Sequence, residues 1–198
     1  MTSQIIIVPS IDDINTLGFY PQEPHQFNLD NDRIRFISNP SMFYINDMLF
    51  AVSTFDNLLN LGTSELQGEN LEIQPHIEDQ CSELLFERDR IQRFCLHLVH
   101  QKSFLPVFPV KDPVIFEDCK AFDMNISPDF YVTSSKFKEF ERSAALTHVI
   151  NLGSQSLIFS KKYLSLSFDH INFVDDESTS CFQEAAKVEF KDLVQKKN

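Results

Sequence analysis

Short apolar runs separated by turn residues organise most of the chain. Residues 4–8 carry four consecutive β-branched side chains, Ile5 to Val8. That pattern predicts a strand covered on both faces, and Pro9, which has no N–H, should end it. Residues 33–37 alternate polar and apolar, predicting a half-buried strand, and Asn39-Pro40 is a turn signal. Two further strands, 42–45 and 48–52, flank Asn46-Asp47, a spacing that suits a tight hairpin. Ser53 or Thr54 is expected to cap a short helix over 55–61, closed by Gly62. Residues 63–80 read as a polar loop.

Ser82 is then expected to cap the longest helix, 83–101. Leu84, Ile91, Phe94, Cys95 and Leu98 fall on one face, and the charged residues from Glu87 to Arg93 mainly on the other, with Asp89 and Arg93 as an i,i+4 pair. His97 and His100 sit near its end, where the helix dipole favours them. Residues 103–109, Ser-Phe-Leu-Pro-Val-Phe-Pro, read as an extended, semi-rigid segment. Pro128-Asp129 introduces a strand over 130–133, and Ser134 or Ser135 should cap a short helix through Phe140. Residues 146–151 read as a buried strand. Leu164, Leu166 and Phe168 alternate with serines over 163–168. After an acidic loop, 169–179, Val188 and Phe190 mark a last strand. The expectation is a mixed α/β (α+β) chain, sheets with flanking helices, forming one domain over 1–195 and a frayed tail at 196–198.

The composition narrows the function classes. The 198 residues include 20 Phe and no Trp, an aromatic load that needs burial and argues against disorder. A formal net charge of -12 disfavours direct binding to a phosphate backbone, so any DNA contact is expected to be indirect. Cys81, Cys95, Cys119 and Cys181 form no CxxC pair, so zinc is not expected, and reduced thiols in the cytosol or nucleus are. No apolar run reaches transmembrane length, so no membrane association is expected. The abrupt start on a strand that needs neighbours suggests a preceding portion is missing.

The chemical motifs are few. There is no GxGxxG, no phosphate-binding GxxxxGK[ST], no GxSxG and no HExxH. Ser10, Asp12 and Asp13 follow the first strand, where ligands gather in open α/β sheets. They are read either as caps of the next turn or as a general-base or metal pair. His148, at a strand end, could join them in a residual metal-dependent phosphoesterase site, though two metals need more ligands than this.

The run IIIVPSIDD…YPQEP, with Pro9, Ser10, Asp13, Pro21, Gln22 and Pro24, resembles the small (B) subunits of the replicative DNA polymerases. RIRFISNPSMFYINDMLFAVSTFDNLLNLGTSEL, with Asn39, Pro40, Asn46, Ser53 and Asp56, resembles the alpha branch of that family more than the delta or epsilon branches. RIQRFCLHLVHQKSFLPVFP is similar to the branch's helix followed by a Ser-aromatic-x-Pro-x-aromatic-Pro segment. ISPDFYVTSSKFKEF and HVINLGS are similar to its next strand-helix-strand, with Leu152 replacing a proline usual there.

The resemblance implies the C-terminal part of a calcineurin-like phosphoesterase fold that has lost its metal ligands. The OB fold and the first half of the domain would be absent. It also implies a nuclear, non-catalytic accessory subunit without cofactor or metal, acting in initiation of DNA replication. The implied partners are the C-terminal domain of the polymerase alpha catalytic subunit and, through the complex, primase. Candidate partner contacts are Phe104, Pro106, Phe108 and Pro109, because rigid aromatic-proline segments make good anchors; internal packing is the alternative. A fragment that does not fold alone is a further possibility.

Overall fold

A computed structural model describes residues 3–27, 29, 31–65, 89–117, 119–153, 162–168 and 186–192. Its centre is a five-stranded sheet of β3 (Ser41–Ile45), β4 (Met48–Ser53), β5 (Phe130–Thr133), β7 (Thr147–Asn151) and β6 (Phe140–Ala144), in that spatial order. β4, β5 and β7 run parallel; β3 and β6 flank them antiparallel. Helices α1 (Asn57–Ser64) and α2 (Arg90–Gln101) pack on one face. The antiparallel pair β8 (Lys162–Phe168) and β9 (Ala186–Asp192) packs on the other. A separate parallel pair joins β1 (Ile5–Ile7) to β2 (Ile34–Phe36).

The period-2 alternation of the strands sorts side chains between the two faces. Ala51, Tyr131 and Val149 are register partners and face the helices. Phe50 and Phe130 face the β8–β9 pair, with Leu164, Leu166, Val188 and Phe190 packed against their cluster. An aromatic row crosses four strands on that second face. Phe43 stacks on Phe50 at 6.0 Å, Phe50 on Phe130 at 5.0 Å and Phe130 on His148 at 5.4 Å between ring centroids. Phe168 meets Phe130 edge-on. This accounts for part of the Phe-rich composition: each ring fills the space beside its cross-strand neighbour.

Asn46 and Asp47 turn β3 into β4 with φ of 46° and 64°, the two positive values a two-residue hairpin loop requires. Other local expectations are corrected. The first strand is not covered on both faces: Ile5 is 50 % and Ile6 37 % exposed. Asp56, not Ser53 or Thr54, caps α1, accepting from Leu59 N–H. Gly62 lies inside α1 rather than closing it; a Cβ there would stand 3.3 Å from the Phe94 ring, so its bareness lets α2 approach.

Asp89 caps α2 at Arg90 with extended backbone, while the expected Ser82 start lies outside the described residues. Arg93 is not on an outer face: it is buried, with its Nε 2.7 Å from Glu65 Oε1. No helix follows Ser135. Residues 134–139 form a loop, and Phe140–Ala144, read as helix end and connection, is strand β6. Thr63 and Ser64, read as the start of the 63–80 loop, are the end of α1; residues 66–80 of that loop, the loop at 169–179 and the tail at 196–198 lie outside the described residues.

Two measurements test this packing. Phe130→Ala removes the centre of the aromatic row, and a loss of about 3–5 kcal/mol in urea unfolding is expected. The Arg93 hydrogen bond holds the Glu65 carboxyl below its ordinary value of 4.5, against the opposing effect of burial. Its stabilisation is therefore complete above that value and lost as pH falls through the lower folded value. Glu65→Gln should cost about 1 kcal/mol at pH 7, with the difference from the native chain closing as pH drops below 4.5.

Candidate functional site

In a sheet with parallel central strands, ligands are expected outside the carboxyl ends. Here those ends are Ser53, Thr133 and Asn151. A cleft of about 340 Å³ opens beside them, and Asp12, Asp13, Asp56, Asp112 and Lys136 are among the residues lining it.

Several polar side chains at and beside the cleft are bonded to backbone. Asp13 Oδ2 accepts from Ser10 N–H at 2.8 Å and lies 3.3 Å from His25 Nε2. Ser10 Oγ accepts from Asp12 N–H. Asp56 caps α1 with Oδ1 and accepts Lys136 N–H with Oδ2. Asn151 Oδ1 accepts from Ser135 and Gly153 N–H, while its Nδ2 donates to the carbonyls of Phe137 and Lys138. Four backbone groups of two loops thus end on one side chain.

A second asparagine ties the opening stretch to the sheet. Asn39 exchanges backbone bonds with Gln22, its Nδ2 donates to Gln22 Oε1 and Thr54 Oγ1, and its Oδ1 accepts Thr54 N–H. Thr54 Oγ1 in turn donates to Pro9 O at 2.8 Å. Pro9, Gln22, Asn39 and Pro40 are buried together here, while Ser10 and Pro21 are partly covered and Pro24 and Asn46 are exposed. Ser53, fully buried, bonds to the Tyr20 hydroxyl.

His148 does not join this cleft. It is near the amino end of β7, paired in register with Phe130, so its strand runs three further residues before reaching Asn151. Its Nδ1–H donates to Glu141 at 2.8 Å, since a carboxylate can only accept. Among the described residues its Nε2 has no hydrogen-bond partner. Among the described residues, no group of three or more His, Cys, Asp or Glu could hold a metal ion. The supposed trio of Asp12, Asp13 and His148 is therefore split between opposite ends of the sheet.

Segment 103–109 is anchored at one end and open at the other. The Phe104 ring is buried against Tyr131, and its carbonyl accepts from the Tyr20 hydroxyl at 3.2 Å and Asn57 Nδ2 at 2.9 Å. Pro106 is half-buried; Phe108 and Pro109 are exposed. Phe108 packs edge-on against Phe116, itself exposed, at 4.9 Å. Residues 113–115 lie beside Tyr20 through backbone bonds, bringing Ile115 next to a groove of about 480 Å³ whose walls include Leu17, Phe19 and Phe27. These four apolar residues are all exposed. They escape sequence reading because nothing in the spacing of a loop phenylalanine distinguishes a surface position from a core one. Of the cysteines described, Cys95 is buried and free, with its thiol pushed up to about 12 by desolvation, and Cys119 is exposed and free. That shift and its burial leave Cys95 a structural thiol rather than a nucleophile.

Residues 1–142 match the family model for the B subunit of DNA polymerase alpha/epsilon. The chain belongs to that family of replication proteins. It is similar to proteins named as the B subunit of DNA polymerase alpha: the Bos taurus protein is 25 % identical over 165 residues, covering 80 % of this chain and 25 % of the relative. The Rattus norvegicus protein is 26 % identical over 145 residues, covering 70 % and 22 % respectively. The chain thus spans about a quarter of the length of these relatives. No helix among the described residues is long and apolar enough to cross a membrane.

The asparagine at the end of β7 gives a direct test. Asn151→Ala would leave two N–H groups and two carbonyls without their partner, and a loss of about 2–4 kcal/mol in denaturant unfolding is expected.

Proposed function

We propose that this chain acts as a non-catalytic accessory subunit of the alpha type, in the nucleus, in initiation of DNA replication. Its partner in this reading is the C-terminal domain of the polymerase alpha catalytic subunit, with primase reached through the complex and DNA met only indirectly. The fold corresponds to the C-terminal part, residues 1–195, of a calcineurin-like phosphoesterase domain. One observation carries the scaffold role: at the strand ends where such a domain would do chemistry, Asp13, Asp56 and Asn151 are spent on holding loops. Family membership and alpha-type relatives support the choice of complex.

Phe108 and Pro109, with Pro106 beside them, are the contacts we propose for the partner. Phe104 serves them from inside by fixing the segment's root. Aromatic and proline side chains held on a rigid segment lose little freedom on binding. Co-purification of the tagged chain from its own cells should recover the polymerase alpha catalytic subunit and primase. Phe108→Lys should lower that recovery by about tenfold or more, as loss of an anchor worth about 2 kcal/mol would, with an unchanged thermal melt. Recovery of the chain alone would remove this reading; recovery of delta or epsilon catalytic subunits would reassign the complex.

The second reading is a residual metal-dependent phosphoesterase; of the residues it would use, Asp12 and Asp13 line the cleft. A manganese-supplemented phosphodiester assay separates the two. No turnover is expected; turnover abolished by Asp12→Asn with Asp13→Asn would establish the enzyme.

A further inference from the structure

Segment 103–109 is an arch supported twice by the same residue. At its root, Phe104 N–H donates to the Phe122 carbonyl at 2.7 Å. Towards its tip, Val107 and Val110 pack against the core, and Phe108 between them is exposed. Among the described residues the Phe108 ring meets one other ring, that of Phe116, edge-on at 4.9 Å. Phe116 in turn leans on the buried Phe122 ring at 6.1 Å, and Phe122 on Tyr20 at 5.4 Å. The backbone around Phe116 is held separately. Ile115 N–H donates to Tyr20 O at 2.8 Å, and the Cys119 thiol donates to the Phe116 carbonyl at 2.9 Å. Phe122 thus holds the arch at its root by a carbonyl and, through Phe116, at its exposed ring.

An exposed phenylalanine with nothing beside it samples several rotamers, and selecting one of them on binding lowers affinity. Phe116 stands where it removes that freedom beforehand. An edge-to-face contact is directional, because the rim of the ring is positive and its face negative. It therefore sets the tilt of the Phe108 ring as well as its place. Phe116 is the less exposed of the two, at 44 % against 66 %, and is braced from behind by Phe122. We propose that Phe116 is a positioning residue: it holds the Phe108 ring in the orientation the partner takes up, and it acts through Phe108 rather than by a contact of its own. The inference rests on the reading above, in which Phe108 anchors the polymerase alpha catalytic subunit.

Isothermal titration of the C-terminal domain of the polymerase alpha catalytic subunit into the full 198-residue chain tests this. Phe116→Ala should weaken binding by about three- to tenfold, the share an aromatic pair contributes. Phe116→Tyr keeps the ring and should bind as the native chain does. In a Phe108→Ala background, Phe116→Ala should change nothing further, because the ring it positions is gone. Phe116→Leu still covers Phe122, should act like Phe116→Ala, and keeps the test open if the alanine variant does not fold. Binding that Phe108→Ala weakens but neither Phe116 variant does would overturn the proposal and leave the Phe108 reading standing. So would an equal loss from the Phe116 variants with and without the Phe108 ring, since that marks a contact of their own. A native chain that does not bind, or binds regardless of Phe108→Ala, would overturn the Phe108 reading and the proposal together.

Discussion

The buried carbonyl of Phe104 holds the helical side of the molecule together. It receives the Tyr20 hydroxyl and the Asn57 amide. Tyr20 also reaches Ser53 at the end of β4, and Asn57 reaches the Tyr131 hydroxyl on β5. Four segments far apart in sequence, around residues 20, 53–57, 104 and 131, therefore meet at one set of polar atoms enclosed by apolar side chains. Tyr20 stacks on Phe55 at 4.2 Å, and Phe104 on Tyr131 at 5.8 Å. Burial pushes both tyrosine hydroxyls well above their ordinary ionisation range, so both stay neutral, and Tyr20 can keep donating to the Phe104 carbonyl. In a low-dielectric interior such bonds are strong while satisfied and costly when broken. The arrangement fixes one geometry rather than merely adding cohesion.

The same economy governs the cleft. A carboxylate can hold a metal or hold a loop, and its lone pairs are limited. Asp56 uses both oxygens on backbone amides, one in the first turn of α1 and one in the loop after β5, and Asn151 uses its oxygen and nitrogen on four backbone groups. The result is a rim whose loops are held by side-chain hydrogen bonds. It suits a surface that another protein reads, since loops that do not rearrange lose little entropy when covered.

The strands with strong local signals were legible in the sequence. Asn46-Asp47 announced its hairpin, residues 147–151 their buried strand, and the serine-leucine alternation of β8 its single apolar face. Tertiary context decided the rest. FERSA in β6 has one aromatic and no β-branched residue, so its pairing with β7 comes from the turn at Ala145 and from the sheet it joins. Asp56 and the two preceding hydroxyls are equally good caps by type, and only the loop geometry selects among them. Apolar runs say that a strand wants cover without saying that it has found it, as Ile5 and Ile6 illustrate. The candidate site divided along the same line. Asp12 and Asp13 could be placed beside the sheet's carboxyl end, but His148 could not be placed at the opposite end without the register of β7.

The parallel pairing of β4 with β5 sets the order in which the chain can assemble. The bond from Leu49 N–H to Asp129 spans 80 residues, whereas the β3–β4 hairpin closes over two. At about 5–20 residues per second, roughly 4–16 s of translation separate the two strands leaving the ribosome. For that interval Phe50 and Ala51 lack Phe130 and Tyr131, the β5 residues they pair with. The nascent chain is thus exposed to mispairing before its centre can close, and nucleation by the early hairpin cannot hasten the step that completes the sheet.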